Sequence, residues 1–238
     1  MATFLLVHGA FQGGWVWQKV AAMLRGQGHE VHAPTLSGCG YLSHGMQQED
    51  DLLTYIEDIA QYIEFEDLQG IVLIAHSFSG MICGEVMMRF GNRIRQAIFV
   101  DAVIPEAHRT FAETAGEPFR NMLEKHRLGG GKVRPWPLQV FGVDKSSADW
   151  FEPRLRPFPY QAFLTPYPGH FAPDVLPCAF IGCRETISPF IRKMAEKAKG
   201  YAWQVLEIQA GHCPMVSCPE ELVRAMMSIL ASDNGLQP

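Results

Sequence analysis

Short apolar segments recur along this chain, and within most of them the apolar residues are consecutive instead of alternating with polar ones. The segments, each of strand length, are TFLLVH (3–8), EVHAP (30–34), GIVLIAH (70–76), QAIFVDAV (96–103), PCAFIGC (177–183) and WQVLEI (203–208). Consecutive apolar residues are typical of strands that are covered on both faces, as in a parallel sheet. The pattern therefore predicts about six strands in one mostly parallel sheet.

Segments with a helical period separate these strands. In the clearest of them, 51–65, apolar side chains recur at Leu52, Ile56, Ile59 and Ile63, a spacing that puts them on one face of a helix. Similar helices are predicted at 17–27, 79–90, 189–199 and 219–231. Alternation of strand and helix requires crossover connections, so we expect a doubly wound α/β fold.

One region, residues 104–176, breaks this alternation. It holds ten of the 16 prolines, together with LGGGK and the aromatic-rich stretch DWFEPRLRPFPYQAFLTPYP. Proline interrupts both helices and the interior of sheets, so regular strands are not expected there. We interpret the region as a mainly helical lid inserted into a core made of residues 1–103 and 177–238. At 238 residues the chain is long enough for one large domain with a single core.

Composition limits the partners that the chain can have. It carries 25 acidic against 20 basic residues and no basic run that could neutralise phosphates, so neither nucleic acid nor an anionic membrane surface is an expected partner. No apolar run approaches the ~20 residues that span a bilayer, and the N-terminus lacks the charged start of a secretory signal. We therefore predict a soluble cytoplasmic protein.

The six cysteines are dispersed, with no C-x-x-C pair and no histidine at the spacing of a zinc finger. Cys213 and Cys218 are close in sequence, but most of the six are expected to be reduced, half-buried side chains. We predict neither a metal nor a cofactor.

The segment VLIAHSFSGM (72–81) runs from an apolar strand into small residues around a serine. A tight turn between a strand and a helix, with the serine at its apex, is typical of a nucleophile elbow. The flanking positions, usually glycine, are Ala75 and Ser79, and both are small enough for the two backbones to approach. Ser79 as nucleophile would put the bulky Met81 at such a position, so Ser77 is the predicted nucleophile. A turn whose serines merely cap the helix is the alternative.

Two further features have the positions that this chemistry needs. His8, Gly9 and Ala10 follow the first strand, where the backbone N–H of Ala10 and that of Phe78 can form an oxyanion hole. His212 follows the last strand, in AGHCPM, and has the place of a general base late in the chain. The alternative for the first feature is an ordinary loop.

The acid that would orient the histidine has two candidates. Asp101 ends the strand AIFVDAV, and Glu185 follows the strand AFIGC. Both lie at carboxyl ends of strands, and both give the chain order serine, acid, histidine. Asp101 has apolar neighbours on each side, and a buried carboxylate needs a partner, which favours Asp101. For either residue, a charged side chain that leaves a strand for solvent is the alternative.

With these residues in view, the chain resembles the α/β-hydrolase superfamily, and within it the small bacterial esterases related to the plant methylesterase and hydroxynitrile lyase group. The segments that carry the resemblance are LLVHGAFQGGWVWQKV, APTLSGCGYLSH, IVLIAHSFSGMI, IFVDAVIP and IQAGHCPMVSCPEEL, which span most of the chain outside the lid. The resemblance implies Ser77 as nucleophile, His212 as base and the amides of Ala10 and Phe78 as oxyanion donors. It also implies ester hydrolysis through an acyl-enzyme, without metal or cofactor.

The chain departs from the family pattern at several places. The glycines of the elbow are replaced, and the loop CRETISP has Glu185 where the plant relatives carry their acid. The bacterial subgroup often carries instead an aspartate that matches Asp101. The hydroxynitrile lyases have threonine where this chain has Gly9 and lysine where it has Cys213, so the resemblance favours hydrolysis over the lyase reaction.

Aromatic side chains of the lid and of the first loop predict an apolar or aromatic substrate pocket. The pocket candidates are Phe11, Trp15, Trp136, Phe141, Trp150 and Phe158. The alternative is that these rings only pack the lid on the core. The predicted partner is a small-molecule ester, and a homodimer is left open. Two other functions fit the same fold, a cofactor-independent lyase or oxygenase that uses His212 as base, and a ligand receptor without hydrolysis.

Overall fold

A computed structural model describes residues 1–233 of the chain. Within these residues the strands are β1 Thr3–Val7, β2 Glu30–His32, β3 Ile71–His76, β4 Ile94–Val100, β5 Arg127–Leu128, β6 Lys132–Val133, β7 Phe158–Pro159, β8 Cys178–Cys183 and β9 Gln204–Ile208. Six of them form one sheet in the order β2-β1-β3-β4-β8-β9, and every neighbouring pair is parallel. The predicted parallel sheet is confirmed.

Strand β3 lies inside this sheet and has no exposed residue, since all six side chains are buried. Successive side chains of a strand point to opposite faces of the sheet. Both faces are therefore covered at β3, which explains why the apolar run at 70–76 does not alternate with polar residues.

The helices of the described residues are α1 Gln18–Gly26, α2 Leu52–Phe65, α3 Ser79–Arg89, α4 Phe111–Ala115, α5 Glu117–Lys125, α6 Leu138–Phe141, α7 Lys145–Phe151, α8 Pro189–Gly200, α9 Pro214–Ser217 and α10 Pro219–Asp233. Helix α2 begins where predicted because Asp51 caps it, accepting from the N–H groups of Leu53 at 2.8 Å and Thr54 at 3.2 Å. Its periodic apolar side chains are buried. No helix in residues 1–233 is long and apolar enough to cross a membrane.

Residues 104–176, called the insertion below, connect β4 to β8 and contain α4 to α7. The expectation that they hold no strands is wrong, because β5, β6 and β7 form an antiparallel sheet of two residues per strand. Gly130 and Gly131 make the turn before β6, with φ of +68° and +67°, and Pro159 is tolerated because β7 is an edge strand. The division into a core and a lid stays a prediction, and the last five residues of its 177–238 part lie outside the described residues.

The carboxyl ends of parallel strands meet at one edge of a sheet, where α/β folds place their ligands. Strands β1, β3, β4 and β9 end at Val7, His76, Val100 and Ile208, and the predicted site residues follow them. Because β1 and β4 are the two neighbours of β3, the residues after these two strands flank the turn at Ser77.

Candidate active site

Ser77 stands at the turn between β3 and α3 with a φ of +56°. This left-handed conformation is uncommon for a residue other than glycine, and hydrogen bonds hold it. The Ser77 carbonyl accepts from the N–H groups of Gly80 at 3.2 Å and Val103 at 3.0 Å. A Cβ on Gly80 would lie 1.9 Å from the Val103 carbonyl oxygen, so this close approach requires glycine. The turn has the geometry of a nucleophile elbow.

The two residues that replace the usual glycines, Ala75 and Ser79, are both fully buried. The Ser79 hydroxyl lies 2.9 Å from the carbonyl oxygen of Val7 and accepts from the His76 N–H at 2.8 Å. It therefore ties the ends of β1 and β3 together behind the turn. Ser77 is only half-buried and borders a cavity, so the structure presents Ser77, and not Ser79, to a ligand.

A continuous chain of hydrogen bonds joins Ser77, His212 and Asp101. The Ser77 Oγ lies 2.8 Å from His212 Nε2, and His212 Nδ1 lies 2.7 Å from Asp101 Oδ2. An ionised carboxylate only accepts, so Nδ1 carries the proton and Nε2 is left to accept from the serine hydroxyl. The side chain of Asp101 is 3% exposed and that of His212 is 11% exposed. The arrangement can remove the Ser77 proton as the serine attacks a carbonyl carbon.

Two further donors hold Asp101. The Cys183 N–H donates to Oδ1 at 3.1 Å, and the Thr186 hydroxyl donates to Oδ2 at 2.5 Å. Each oxygen of this buried carboxylate therefore has a partner, as the burial of a charge requires. The other candidate acid, Glu185, is exposed, and its Oε1 accepts from Gln209 Nε2 at 2.8 Å. Asp101 is thus the acid that contacts the imidazole, and the sequence did not indicate the part played by Thr186.

His76, the residue before the serine, contacts the backbone of His212. Its Nε2–H donates to the His212 carbonyl oxygen at 2.7 Å, and the two rings lie 5.0 Å apart. Burial lowers the pKa of His76 well below its ordinary value, so the ring is neutral with its proton on Nε2. His76 therefore holds the His212 main chain from the core side. Strand alternation turns its side chain away from that of Ser77.

The loop after β1 lies directly against the serine. A Cβ on Gly9 would be 3.0 Å from Ser77 Cβ, so glycine permits this approach. His8 braces the loop, because its Nδ1–H donates to the Gly9 carbonyl at 2.8 Å and its Nε2 accepts from the Leu36 N–H at 3.1 Å. Burial lowers the pKa of His8 to about 4, which keeps the ring in the neutral form that this bonding needs. Ala10 then reaches the cavity beside Ser77.

The described part of the chain has no group of three or more His, Cys, Asp or Glu side chains arranged to hold a metal ion. All six cysteines are free thiols. Cys213, next to His212, is fully buried, and burial raises the pKa of its thiol. Its sulfur accepts from Gln12 Nε2 at 3.3 Å, so Cys213 packs as a neutral side chain.

A cavity of about 70 Å³ adjoins Ser77 and His212. The rest of its lining is Ala10, Phe11, Gln12, Phe111, Phe119, Met122, Trp136, Val140, Phe141, Ser188, Phe190 and Ile191. A groove of about 710 Å³ opens beside it. The wall shared by the two consists of Phe119, Met122, Val140, Ser188 and Phe190.

Half of the aromatic residues predicted for a pocket are found in the cavity wall, namely Phe11, Trp136 and Phe141. The other three, which are Trp15, Trp150 and Phe158, do not line this cavity. Trp15 packs edge-on against Trp150 with 5.2 Å between ring centroids, and Phe158 stacks on Tyr55 at 5.3 Å. These rings fasten the insertion to the core, a use that aromatic content alone cannot distinguish from lining a pocket.

Comparison with known proteins identifies the family. A model of the alpha/beta hydrolase family matches residues 4–225, and the chain belongs to this family. The parallel sheet and the serine at the strand-to-helix turn agree with that assignment, and the resemblance seen in the sequence is confirmed.

Several relatives within this family are named esterases. The carbendazim hydrolyzing esterase of Nocardioides sp. (strain SG-4G) is 30% identical over 249 residues, which cover 96% of this chain and 100% of that protein. Methyl jasmonate esterase 1 of Vitis vinifera is 34% identical over 103 residues, 43% of this chain and 40% of that protein. An extracellular α/β-hydrolase from a Paenibacillus species has a TM-score of 0.82 at 19% identity, with 96% of this chain and 99% of that chain covered. The chain is a carboxylic ester hydrolase of the α/β-hydrolase family.

Proposed function

We propose that this chain hydrolyses small carboxylic esters through an acyl-enzyme on Ser77. The observation that carries the proposal is the unbroken chain of hydrogen bonds from Ser77 through His212 to Asp101, buried at its acid end and bordering a cavity at its serine end. A serine hydroxyl beside a base that is itself oriented by an acid is an activated nucleophile.

In the first half of the reaction, Ser77 Oγ attacks the carbonyl carbon while its proton moves to His212 Nε2. The carboxylate of Asp101 stabilises the imidazolium that forms. His212 then donates this proton to the alcohol oxygen as the ester bond breaks, which leaves the acyl group on Ser77. In the second half, His212 takes a proton from water as the water oxygen attacks the acyl carbon, and it then returns this proton to Ser77 Oγ as the acyl–serine bond breaks, which releases the carboxylic acid.

The negative charge that develops on the carbonyl oxygen needs hydrogen-bond donors. We assign this role to the main-chain N–H groups of Ala10 and Phe78. Ala10 borders the cavity beside Ser77. Phe78 is the N-cap residue of α3, an 11-residue helix whose N-terminus favours negative charge.

An apolar or aromatic substrate suits the cavity because most of its lining is aromatic or aliphatic. A volume of about 70 Å³ admits only a small group next to Ser77, whereas the adjoining groove of about 710 Å³ has room for a larger part of the same molecule. Relatives named for carbendazim and methyl jasmonate support a small-molecule ester. A cytoplasmic location stays a prediction from the sequence, and a homodimer stays open.

Covalent labelling by a fluorophosphonate tests the nucleophile. We expect the intact wild-type protein to gain one label, the Ser77→Ala variant none, and the Ser79→Ala variant one, because Ser79 is buried away from the cavity. Hydrolysis of p-nitrophenyl esters of graded acyl length should be lost in Ser77→Ala only. Equal labelling of wild type and Ser77→Ala, or labelling of neither, would overturn the proposal in favour of a lyase or oxygenase with His212 as base, or of a ligand receptor.

A further inference from the structure

The insertion touches the loop of the general base through two glycines. Gly142 follows α6 with a φ of +58°, and a Cβ added to it would lie 2.6 Å from Gly211 Cα and 2.7 Å from the His212 nitrogen. A Cβ on Gly211 would lie 2.2 Å from the Gly142 carbonyl oxygen. Real Cβ atoms do not approach this closely, so the two main chains are in direct contact with no side chain between them.

A hydrogen bond extends the contact to the other side of His212. The Cys213 N–H donates to the Phe141 carbonyl oxygen at 2.9 Å. Gly211 and Cys213, the neighbours of His212 in the chain, therefore both contact residues 141–142. The His212 carbonyl is held from the opposite direction by His76 Nε2 at 2.7 Å, so the base is clamped between the core and the insertion.

The insertion also contacts Phe11, the residue after the proposed oxyanion donor Ala10. The Phe141 ring forms part of the cavity wall and lies 6.4 Å from the Phe11 ring, edge-on. The Phe11 carbonyl accepts from the Arg156 N–H at 3.0 Å. The main chain of residues 141–142 is in direct contact with residues 211–213, called the base loop below. A displacement of residues 141–142 would therefore displace the base loop first.

We propose that Gly142 and the main-chain carbonyl of Phe141 are positioning residues for His212, so that the insertion holds the general base in place as well as covering the site. The inference rests on the proposed function, because it assigns a role in proton transfer between Ser77 and His212. Misplacing a reacting group by about 1 Å can lower a rate by roughly 10²-fold. A side chain at position 142 that pushes the base loop away should act mainly on kcat.

The Gly142→Ala variant tests this, with Gly130→Ala as its matched control. Both glycines lie in the insertion at positive φ, so alanine at either position has the same kind of backbone strain. Only the Cβ at position 142 would press on the base loop, because a Cβ on Gly130 meets nothing within 4 Å. With p-nitrophenyl acetate we expect kcat to fall by about 10- to 100-fold in Gly142→Ala, with KM within roughly threefold. The downfield proton signal of His212 Nδ1 should also shift. Gly130→Ala should match wild type within about twofold on both measures.

A folded Gly142→Ala protein with the kcat and the proton signal of Gly130→Ala would overturn the inference and leave the proposed function intact. Failure of the proposed function looks different, because wild type and Gly130→Ala would then both lack labelling at Ser77. If Gly142→Ala does not fold, Phe141→Leu decides the question. It removes the ring contacts to Phe11 and Phe151 that hold the segment, so kcat should fall severalfold, and an unchanged kcat would count against the proposal.

Discussion

Asp101→Asn changes one atom of the hydrogen-bonded chain that ends at Ser77, and its outcome follows from the orientation of the Asp101 side chain. Oδ1 accepts from the Cys183 N–H, so an asparagine keeps its oxygen there and turns its amide nitrogen towards His212 and Thr186. An amide nitrogen donates and does not accept. His212 must then leave Nδ1 unprotonated and carry its proton on Nε2, where it can no longer take the serine proton.

The size of the effect follows from this geometry. Asparagine has nearly the shape of aspartate, so the fold is retained and the loss falls on proton transfer. The same change of tautomer in a Ser-His-Asp protease costs about 10⁴ in kcat. We expect roughly 10³- to 10⁴-fold here, equivalent to about 4–5.5 kcal/mol of transition-state stabilisation. KM should change little because Asp101 is 2% exposed and does not line the cavity at Ser77.

Steady-state hydrolysis of p-nitrophenyl acetate measures the outcome, with Glu185→Gln as the matched control. Glu185→Gln makes the same chemical change at a carboxyl group that is exposed and bonded to Gln209, so its kcat should stay within about twofold of wild type. A kcat near the wild-type value in Asp101→Asn would refute the reasoning. A large loss in Glu185→Gln alone would move the role of the acid to Glu185.

Two further predictions concern stability. Ser79→Ala removes a fully buried hydroxyl that bonds the ends of β1 and β3, so the free energy of unfolding in urea should fall by about 1–3 kcal/mol, and an unchanged value would contradict the role of that hydroxyl. The pKa of His8 falls from 6.5 to about 4 on folding, so the unfolded chain binds more protons, and stability is full above pH 6.5 and declines as the pH falls towards 4. This group alone should cost about 2 kcal/mol between pH 7.5 and pH 5, and a His8→Gln variant that keeps the wild-type slope would refute the assignment.

The main sheet could be predicted because its pattern is local and its cause is general. A strand buried on both faces needs consecutive apolar residues, and every such run in this chain became a strand of the main sheet. The three short strands of the insertion have no such pattern. Each has two residues, and their pairing depends on the glycine turn at 129–131 and on Tyr160, whose N–H donates to the Gly131 carbonyl at 2.8 Å.

The site, too, has residues that the sequence indicated and contacts that it did not. Ser77 and His212 could be proposed from sequence because Ser77 directly follows β3 and His212 lies in the loop after β9, and strand ends in a parallel sheet share an edge. The contacts of His76 with His212 and of Thr186 with Asp101 join residues 136 and 85 positions apart. Neither pair belongs to a motif, so only the packed chain shows which buried polar group finds which partner.

The loop after β8 shows why the sequence favoured Asp101 over Glu185 without excluding Glu185. Glu185 and Thr186 are adjacent, and the Glu185 N–H donates to the Ala210 carbonyl at 3.0 Å, so the loop does run beside the strand that leads to the histidine. One step along the chain reverses the direction of the side chain: that of Glu185 is exposed, whereas Thr186 is 1% exposed and donates to Asp101. The loop thus supplies a hydroxyl that donates to Asp101, and the Asp101 carboxylate itself directly follows β4, the strand next to β3.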